Sequence, residues 1–576
     1  MFLIVDGSRI PSLVAAISLC ALGAAGCSSD TSTRDGPSGD LNADNTFLFA
    51  NSGPTRLHDG LGAHHFEVST DSEEAQRYIH QGVAQVYGFQ SADAYRSFRK
   101  ASELDPTLAM AYWGMALALG PDVNYGIEVN RNQLAYDAIQ RARSLAAGAT
   151  PKEQDLIAAL ATRHSNEPHP DFGALNEAYA AAMTEVADTY PEDVDVATLY
   201  AAALMWTNWG QQFPHPFPQA QMEDRQDTVE VIETLESVLD RDPDHVGAIH
   251  LYIHVMEQSP NPSRALESAQ RLKQLAPNAP HLVHMASHIY VHTGDHASIM
   301  NINEDVFPQL EAYRERIGEA DFFYVVEGSH ERRFVVETLD DSGRRAEAVR
   351  KADELVEWVE PYLDKAPWLA DNAAVPILTR IHFAMWDELL DLPEPGGGPD
   401  RPAPTGFYHL GRAMAFAATG RLDEATLERD ALQQLRQQMP ADVALGSNSL
   451  DEMLEIAQLV ADARIARAEE DYDTSIELLR DAVRIEDTLK YDIGYPILPF
   501  SFRENLGATL LLAGQPEEAA EVFEEDLERN PGNGRSWFGL AASLDAMGDE
   551  AGVLAAREQF SNAWHLADTQ LSINDF

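Results

Sequence analysis

The chain has 576 residues, 45% of them hydrophobic, so it can bury a large core and is not a disordered polymer. Its formal net charge of −52 argues against nucleic acid and anionic lipid as partners, since both would be repelled. Its two cysteines, Cys20 and Cys27, both lie near the N-terminus, which leaves the body without a disulfide, a thiolate metal site or a cysteine nucleophile.

The first element reads as a targeting segment. Arg9 precedes an apolar stretch from Pro11 to Leu22, too short for a typical spanning helix, and then Gly23-Ala24-Ala25-Gly26-Cys27. Small residues before a cysteine match a lipobox, so residues 1–26 are expected to be a signal peptide and Cys27 the site of lipid attachment. Ala24 replaces the more usual leucine, and an ordinary secretory peptide or a membrane anchor is the alternative. Residues 27–60, rich in Ser, Asp, Gly and Asn, are expected to be a flexible tether. The chain is therefore expected in the cell envelope, lipid-anchored to the outer membrane.

From residue 61 onward the pattern is all-α and repetitive. Gly82, Ala94, Phe98, Ala101 and Pro106 fall where a tetratricopeptide (TPR) unit places its small, aromatic and terminating residues. Small residues at 82 and 94 let two antiparallel helices approach, Phe98 fills the groove between them, and Asp105-Pro106 ends the second helix. Apolar spacing of three and four predicts helices over Asp155–Arg163, Leu175–Tyr190, Val196–Met205, Thr228–Leu239, Ala265–Leu275, Arg344–Val359 and Leu450–Ile485. Stops recur at Pro191, Pro243 and Pro277. Gly507, Gly514, Ala519, Phe523 and Pro531 repeat the TPR logic near the end, and a further unit begins near Trp537 and turns at Gly548. No stretch alternates for long, so strands should be nearly absent. The expected architecture is a TPR-like solenoid, a right-handed superhelix, with arrays over 61–392 and 405–576 joined by a Pro/Gly-rich loop or hinge at 393–404.

Several segments resemble a bacterial TPR-repeat lipoprotein family of unassigned biochemical function. The likeness rests on His64-His65-Phe66, Tyr87-Gly88-Phe89, Ser97-Phe98-Arg99, Ala109-Met110-Ala111-Tyr112-Trp113-Gly114, Gly120-Pro121, His250-Leu-Tyr-Ile-His254 and His281-Leu-Val-His284-Met-Ala-Ser-His288-Ile-Tyr290. Asn530-Pro-Gly-Asn-Gly534 and Phe560-Ser-Asn-Ala-Trp564 extend it to the C-terminus. The chain departs from the family at Phe89-Gln90-Ser91, where the family reads Phe-Asn-His, and at Ala286, where it often has proline.

Histidines carry the sharpest functional signal. His250 and His254 share a helical face, and His284 and His288 repeat the spacing one TPR period later, so the two pairs should lie on the first helices of adjacent units. First helices of TPR folds line the concave surface, and neighbouring helices pack about 8–10 Å apart, so both pairs can reach one ligand. Glu257 and His281 extend the faces. Zinc, copper, iron or nickel suits such a set, and a three-imidazole site with an open position can activate water. The bland alternative is four histidines packed in a polar groove. His64-His65 and His292 are weaker candidates, and His330-Glu331 begins a zinc-protease motif but lacks the second histidine.

Trp206, Trp209, Phe213 and His215 belong to an aromatic, proline-punctuated connection that can cap a groove and stack on a ligand. Trp113 reads as core. No phosphate loop, dinucleotide fingerprint, nucleophile elbow or kinase set is present. Three functions fit: a scaffold holding a protein or peptide in its concave groove, a metal-binding protein or metal-dependent enzyme, and a solute-binding surface lipoprotein.

Overall fold

A computed structural model describes residues 55–62, 64–122, 129–207, 226–259, 261–318, 321–440, 442–446, 448–489, 498 and 500–576. The segment expected to be a signal peptide, Cys27, Trp209, Phe213, His215 and most of the expected tether lie outside these residues. The described chain is a series of antiparallel helix pairs. The first three helices are α1 (Glu73–Tyr87), α2 (Ser91–Leu104) and α3 (Ala109–Leu119); they show why the pairs form. Ser72 caps α1 by accepting a hydrogen bond from the Ala75 amide, and the α2 backbone stops at Asp105, before Pro106. Phe98 of α2 is fully buried between Gly82 of α1 and Gly114 of α3. A Cβ at either glycine would sit 2.7 Å or less from the Phe98 ring, so the close approach of three helices depends on both.

The same device recurs at the other end. There α22 (Phe502–Leu512), α23 (Pro516–Arg529) and α24 (Gly534–Met547) pack around Phe523, with Gly507 and Gly539 against its ring. Two copies of one packing rule, far apart in the sequence, make the body a TPR-like helical repeat.

Between them run α4 (Val129–Leu145), α5 (Pro151–Leu160), α6 (Phe172–Thr189), α7 (Val194–Thr207), α8 (Gln226–Arg241), α9 (Val246–Glu257), α10 (Leu266–Leu275), α11 (Pro280–His284), α12 (Ala286–Thr293), α13 (His296–Ile317), α14 (Phe322–Asp341) and α15 (Arg345–Val359). Next come α16 (Val375–His382), α17 (Trp386–Asp391), α18 (Pro402–Ala418), α19 (Leu422–Gln438), α20 (Leu450–Ala468) and α21 (Tyr472–Glu486), and α25 (Glu550–Ala563) follows α24. Across the Pro/Gly-rich stretch, Ile377, Ile381 and Leu389 share one core with Phe407 and Leu410. Strand structure among the described residues is a two-residue antiparallel pair, Ala444–Leu445 with Asn448–Ser449. No described helix is long and apolar enough to cross a membrane.

Candidate metal centre

Four helices converge on the histidines. Helix α9 supplies His250, His254 and Glu257; α11 and α12 supply His281, His284 and His288; α14 supplies Glu327, His330, Glu331 and Phe334. The positions fall at i, i+4, i+7, at i, i+3, i+7 and at i, i+3, i+4, i+7, so each group presents one face. His245 caps α9, its Nδ1 accepting from the Ala248 amide, and Asp321 caps α14 through the Tyr324 amide. Gly247 lets α1 reach α9: a Cβ there would lie 2.5 Å from the Tyr87 ring.

The six imidazoles form two triads. In the first, His250 Nε2 is 3.0 Å from His281 Nε2 and 3.1 Å from His254 Nε2. In the second, His284 Nε2 is 2.9 Å from His288 Nε2 and 3.0 Å from His330 Nε2. The triads are neighbours, with ring centroids 6.0 Å apart for His254 and His288 and 6.4 Å for His281 and His284. Each lies against a phenylalanine. Phe89 has its ring 4.2 Å from that of His250 and 5.5 and 5.4 Å from those of His254 and His281. Phe334 stands 4.6, 5.1 and 4.8 Å from the rings of His284, His288 and His330.

The outer nitrogens decide what the inner ones can do. His250 Nδ1 is 2.6 Å from the Tyr87 carbonyl oxygen, which can only accept, so Nδ1 holds the proton and the neutral ring turns a bare lone pair inward at Nε2. His254 Nδ1 faces Glu257 Oε1 at 2.9 Å, and His281 Nδ1 faces Glu327 Oε2 at 3.0 Å. In the second triad His288 Nδ1 is 2.6 Å from Glu257 Oε2 and His284 Nδ1 is 2.5 Å from Glu331 Oε2. Burial first, and neighbouring imidazoles second, hold His250, His254, His284 and His330 well below the usual histidine range; the same causes, with His281 the neighbour, bring His288 to about 3. Five of the six rings turn Nδ1 to an acceptor, which favours the proton there and leaves Nε2 lone pairs facing inward about 3 Å apart. Such an array repels itself unless a cation sits among the lone pairs.

Three carboxylates reinforce the point. Glu257, Glu327 and Glu331 are buried with the triads. Burial pushes Glu327 up, but His281, His284 and His288 outweigh it and hold the carboxyl below its ordinary value. Burial and the adjacent Glu327 push Glu331 well up, as expected of a carboxylate with too little positive charge beside it. Carboxylates on the far nitrogens of ligating histidines fix the tautomer and raise ligand basicity.

Several expectations need correction. The four repeat-register histidines do not form one set: His250 and His254 join His281, while His284 and His288 join His330. They do not line an open concave groove, being 0–1% exposed. Glu257 is likewise no groove residue, since it is fully buried and bridges the two triads. His330-Glu331, set aside as half a motif, supplies a triad member and an outer-nitrogen partner. The residues missed, Glu327, His330, Glu331 and Phe334, do carry a signal, since they occupy positions i, i+3, i+4 and i+7 of one helix.

The remaining candidates fall elsewhere. His64 and His245 contact Asp195 at 2.8 and 3.3 Å, and the Tyr87 hydroxyl donates to it at 3.0 Å. Because His245 Nδ1 accepts from an amide, its Nε2 proton points at Asp195, so this group is a hydrogen-bonded anchor that holds Tyr87. His65 packs on His80, whose Nδ1 accepts from the Phe66 amide. Trp113 is buried, as read from the sequence, and stacks on Phe66. Trp206 lines a separate cavity with Tyr87 and Phe89.

The sequence matches no protein-family model and no curated protein. Among solved structures, the human IFIT1 dimer with m7Gppp-AAAA aligns at 12% identity over 92% of this chain and 100% of that one, with a TM-score of 0.32. Yeast Tom70 aligns at 13% identity over 85% of this chain and 93% of that one, with a TM-score of 0.27. Similarity this low assigns neither family nor function.

Proposed function

We propose that this protein is a dinuclear transition-metal protein built on a TPR-like scaffold, with one ion in the His250/His254/His281 triad and one in the His284/His288/His330 triad. The observation that carries the reading is the inward convergence of Nε2 lone pairs whose outer nitrogens face Tyr87, Glu257, Glu327 and Glu331. Six imidazoles with no thiolate suit copper first and zinc second, and the affinity order of divalent ions favours copper. Imidazole-bound copper supplies one-electron chemistry toward a small oxidant or substrate.

The residues around the triads have separable tasks. Glu257, Glu327 and Glu331 hold ring orientation and offset cationic charge in a dry site. Phe89 and Phe334 exclude water from the two ligand sets. Asp195 fixes the Tyr87 hydroxyl and so steadies the carbonyl that orients His250.

The alternative, a scaffold for a protein or peptide partner, finds no support in these histidines, because buried side chains cannot be read by a docked chain. Export with a lipid at Cys27 belongs to the same proposal and places the centre in the cell envelope; metabolic labelling with a radioactive fatty acid, lost in Cys27→Ala, tests it.

The test of the centre is metal analysis and electron paramagnetic resonance on untagged protein purified without chelator. Copper in both triads, removed by His281→Ala combined with His284→Ala, is the expected result. Zinc in the same triads would keep the centre and replace the redox role with water activation. Protein that stays metal-free after incubation with copper, zinc, iron or nickel would sink the proposal.

A further inference from the structure

A cavity lies among α13, α14 and α15, and none of its lining residues belongs to a triad. Its volume of about 330 Å³ is roughly twice that of a cavity that holds benzene, large enough for a fused pair of rings. Phe307 of α13, Val335 of α14, and Leu355 and Trp358 of α15 give it an apolar wall, and Arg332 brings a charge. Gly328, one turn before Arg332, lets Trp358 close on α14: a Cβ there would sit 2.6 Å from the indole. The Gly328 carbonyl accepts from Arg332 Nη1 at 2.8 Å. The guanidinium lies 4.0 Å from the centre of the Trp358 ring and 5.0 Å from that of Phe307. One backbone acceptor and two rings thus set the plane of the cation.

Much of that guanidinium is unspent. Nε and Nη2, the edge that donates two parallel hydrogen bonds, have no acceptor among the described residues, and no described carboxylate lies within 4.0 Å of them. The neighbouring carboxylates are engaged elsewhere. Glu311 accepts from the Tyr324 hydroxyl at 2.6 Å and pairs with Arg314 at 2.7 Å, and Glu331 faces His284 Nδ1 at 2.5 Å. Glu354 lines the cavity but is matched by Lys351 at 2.9 Å and by Arg350 at 2.5 Å. An arginine without a carboxylate is out of keeping with a chain of 93 acidic and 41 basic residues. A partly buried fork with no acceptor favours an anion that offers two oxygens in one plane.

We propose that this cavity binds a monocarboxylate with a flat apolar body, the carboxylate on the Nε–Nη2 edge of Arg332 and the body against Trp358, Phe307 and Leu355. One unpaired cation fits a monoanion, because Lys351, the other cation lining the cavity, is already matched by Glu354. A phosphate dianion would bring a second charge into a wall that carries the Glu354 carboxylate. The site is independent of the metal centre. Helix α14 turns Glu327, His330, Glu331 and Phe334 toward the triads, and Gly328, Arg332 and Val335 toward Trp358 and the cavity, so either site can stand without the other.

The experiment is calorimetric titration of 2-naphthoate into the full chain, with 2-naphthalenemethanol as the uncharged comparison of the same shape. Naphthoate should bind roughly tenfold or more tightly than the alcohol, and Arg332→Gln should erase that preference. Arg332→Lys, which keeps the charge but not the fork, should lose most of it. Trp358→Leu should weaken both ligands together. Equal affinity for the two ligands, no naphthoate binding, or a folded Arg332→Gln protein that still prefers naphthoate would each overturn the proposal. If Arg332→Gln does not fold, Lys351→Glu decides, since it changes the charge of the cavity at a half-exposed position. Naphthoate weakened with the alcohol unchanged then upholds the site, and both ligands unchanged sinks it.

Discussion

His284 and His330 present their Nε2 atoms to each other at 3.0 Å, although 46 residues separate them. The same interval joins His281 to Glu327, whose Oε2 lies 3.0 Å from the ring. One face of α14 therefore meets one face of α11 in register, a ligand opposite a ligand and a carboxylate opposite a ligand. Removing His330 should leave the first triad intact. His330→Ala is expected to halve the bound metal with little loss of fold, and metal analysis beside circular dichroism checks this.

Glu257 holds His254 and His288 at once, so its loss should be felt in both triads. Glu257→Gln keeps the shape but sacrifices charge. Metal affinity in competition with a chelator should fall about 10- to 100-fold at both positions. A loss confined to one triad would mean that the carboxylate does not couple them.

Phe98 and Phe523 fill equivalent grooves at the two ends. Each should cost about 3–5 kcal/mol when cut to alanine, through lost burial and the cavity left behind. The sites share no partner, so urea unfolding of the double variant should show nearly additive losses. Gly114→Ala should also destabilise, because its Cβ would meet the Phe98 ring at 2.2–2.5 Å.

Buried histidines outside the triads set an acid limit, His164 and His296 among them. Burial, then Arg163 and Arg131, bring His164 to about 3, while burial alone dominates in bringing His296 to about 4. Both folded values lie below the ordinary 6.5, so the unfolded chain binds these protons first. Their contribution is fully present above 6.5 and is lost as pH falls toward about 4 and 3. The melting temperature should drop across that window, and His164→Asn should flatten the part due to His164.

The repeat architecture was legible because its rules are local. Gly82 with Phe98, Asp105 with Pro106, and their counterparts near Phe523 encode close helix approach and helix stops within a few dozen residues. The four histidines at 250, 254, 284 and 288 were legible for the same reason, since helical spacing and a 34-residue period put them on matching faces.

Their partition was not legible. Whether His254 turns to His250 or to His288, and whether His330 arrives at all, depends on where α14 packs against α11 and α12. Gly247 against Tyr87 seats α9 on α1, and Gly328 against Trp358 seats α14 on α15. Composition and periodicity thus determined an acidic, cysteine-free helical stack with a histidine stripe. Tertiary packing alone decided that the stripe closes into two buried triads sharing Glu257, because convergence of lone pairs is a property of four helices in space and of no single segment.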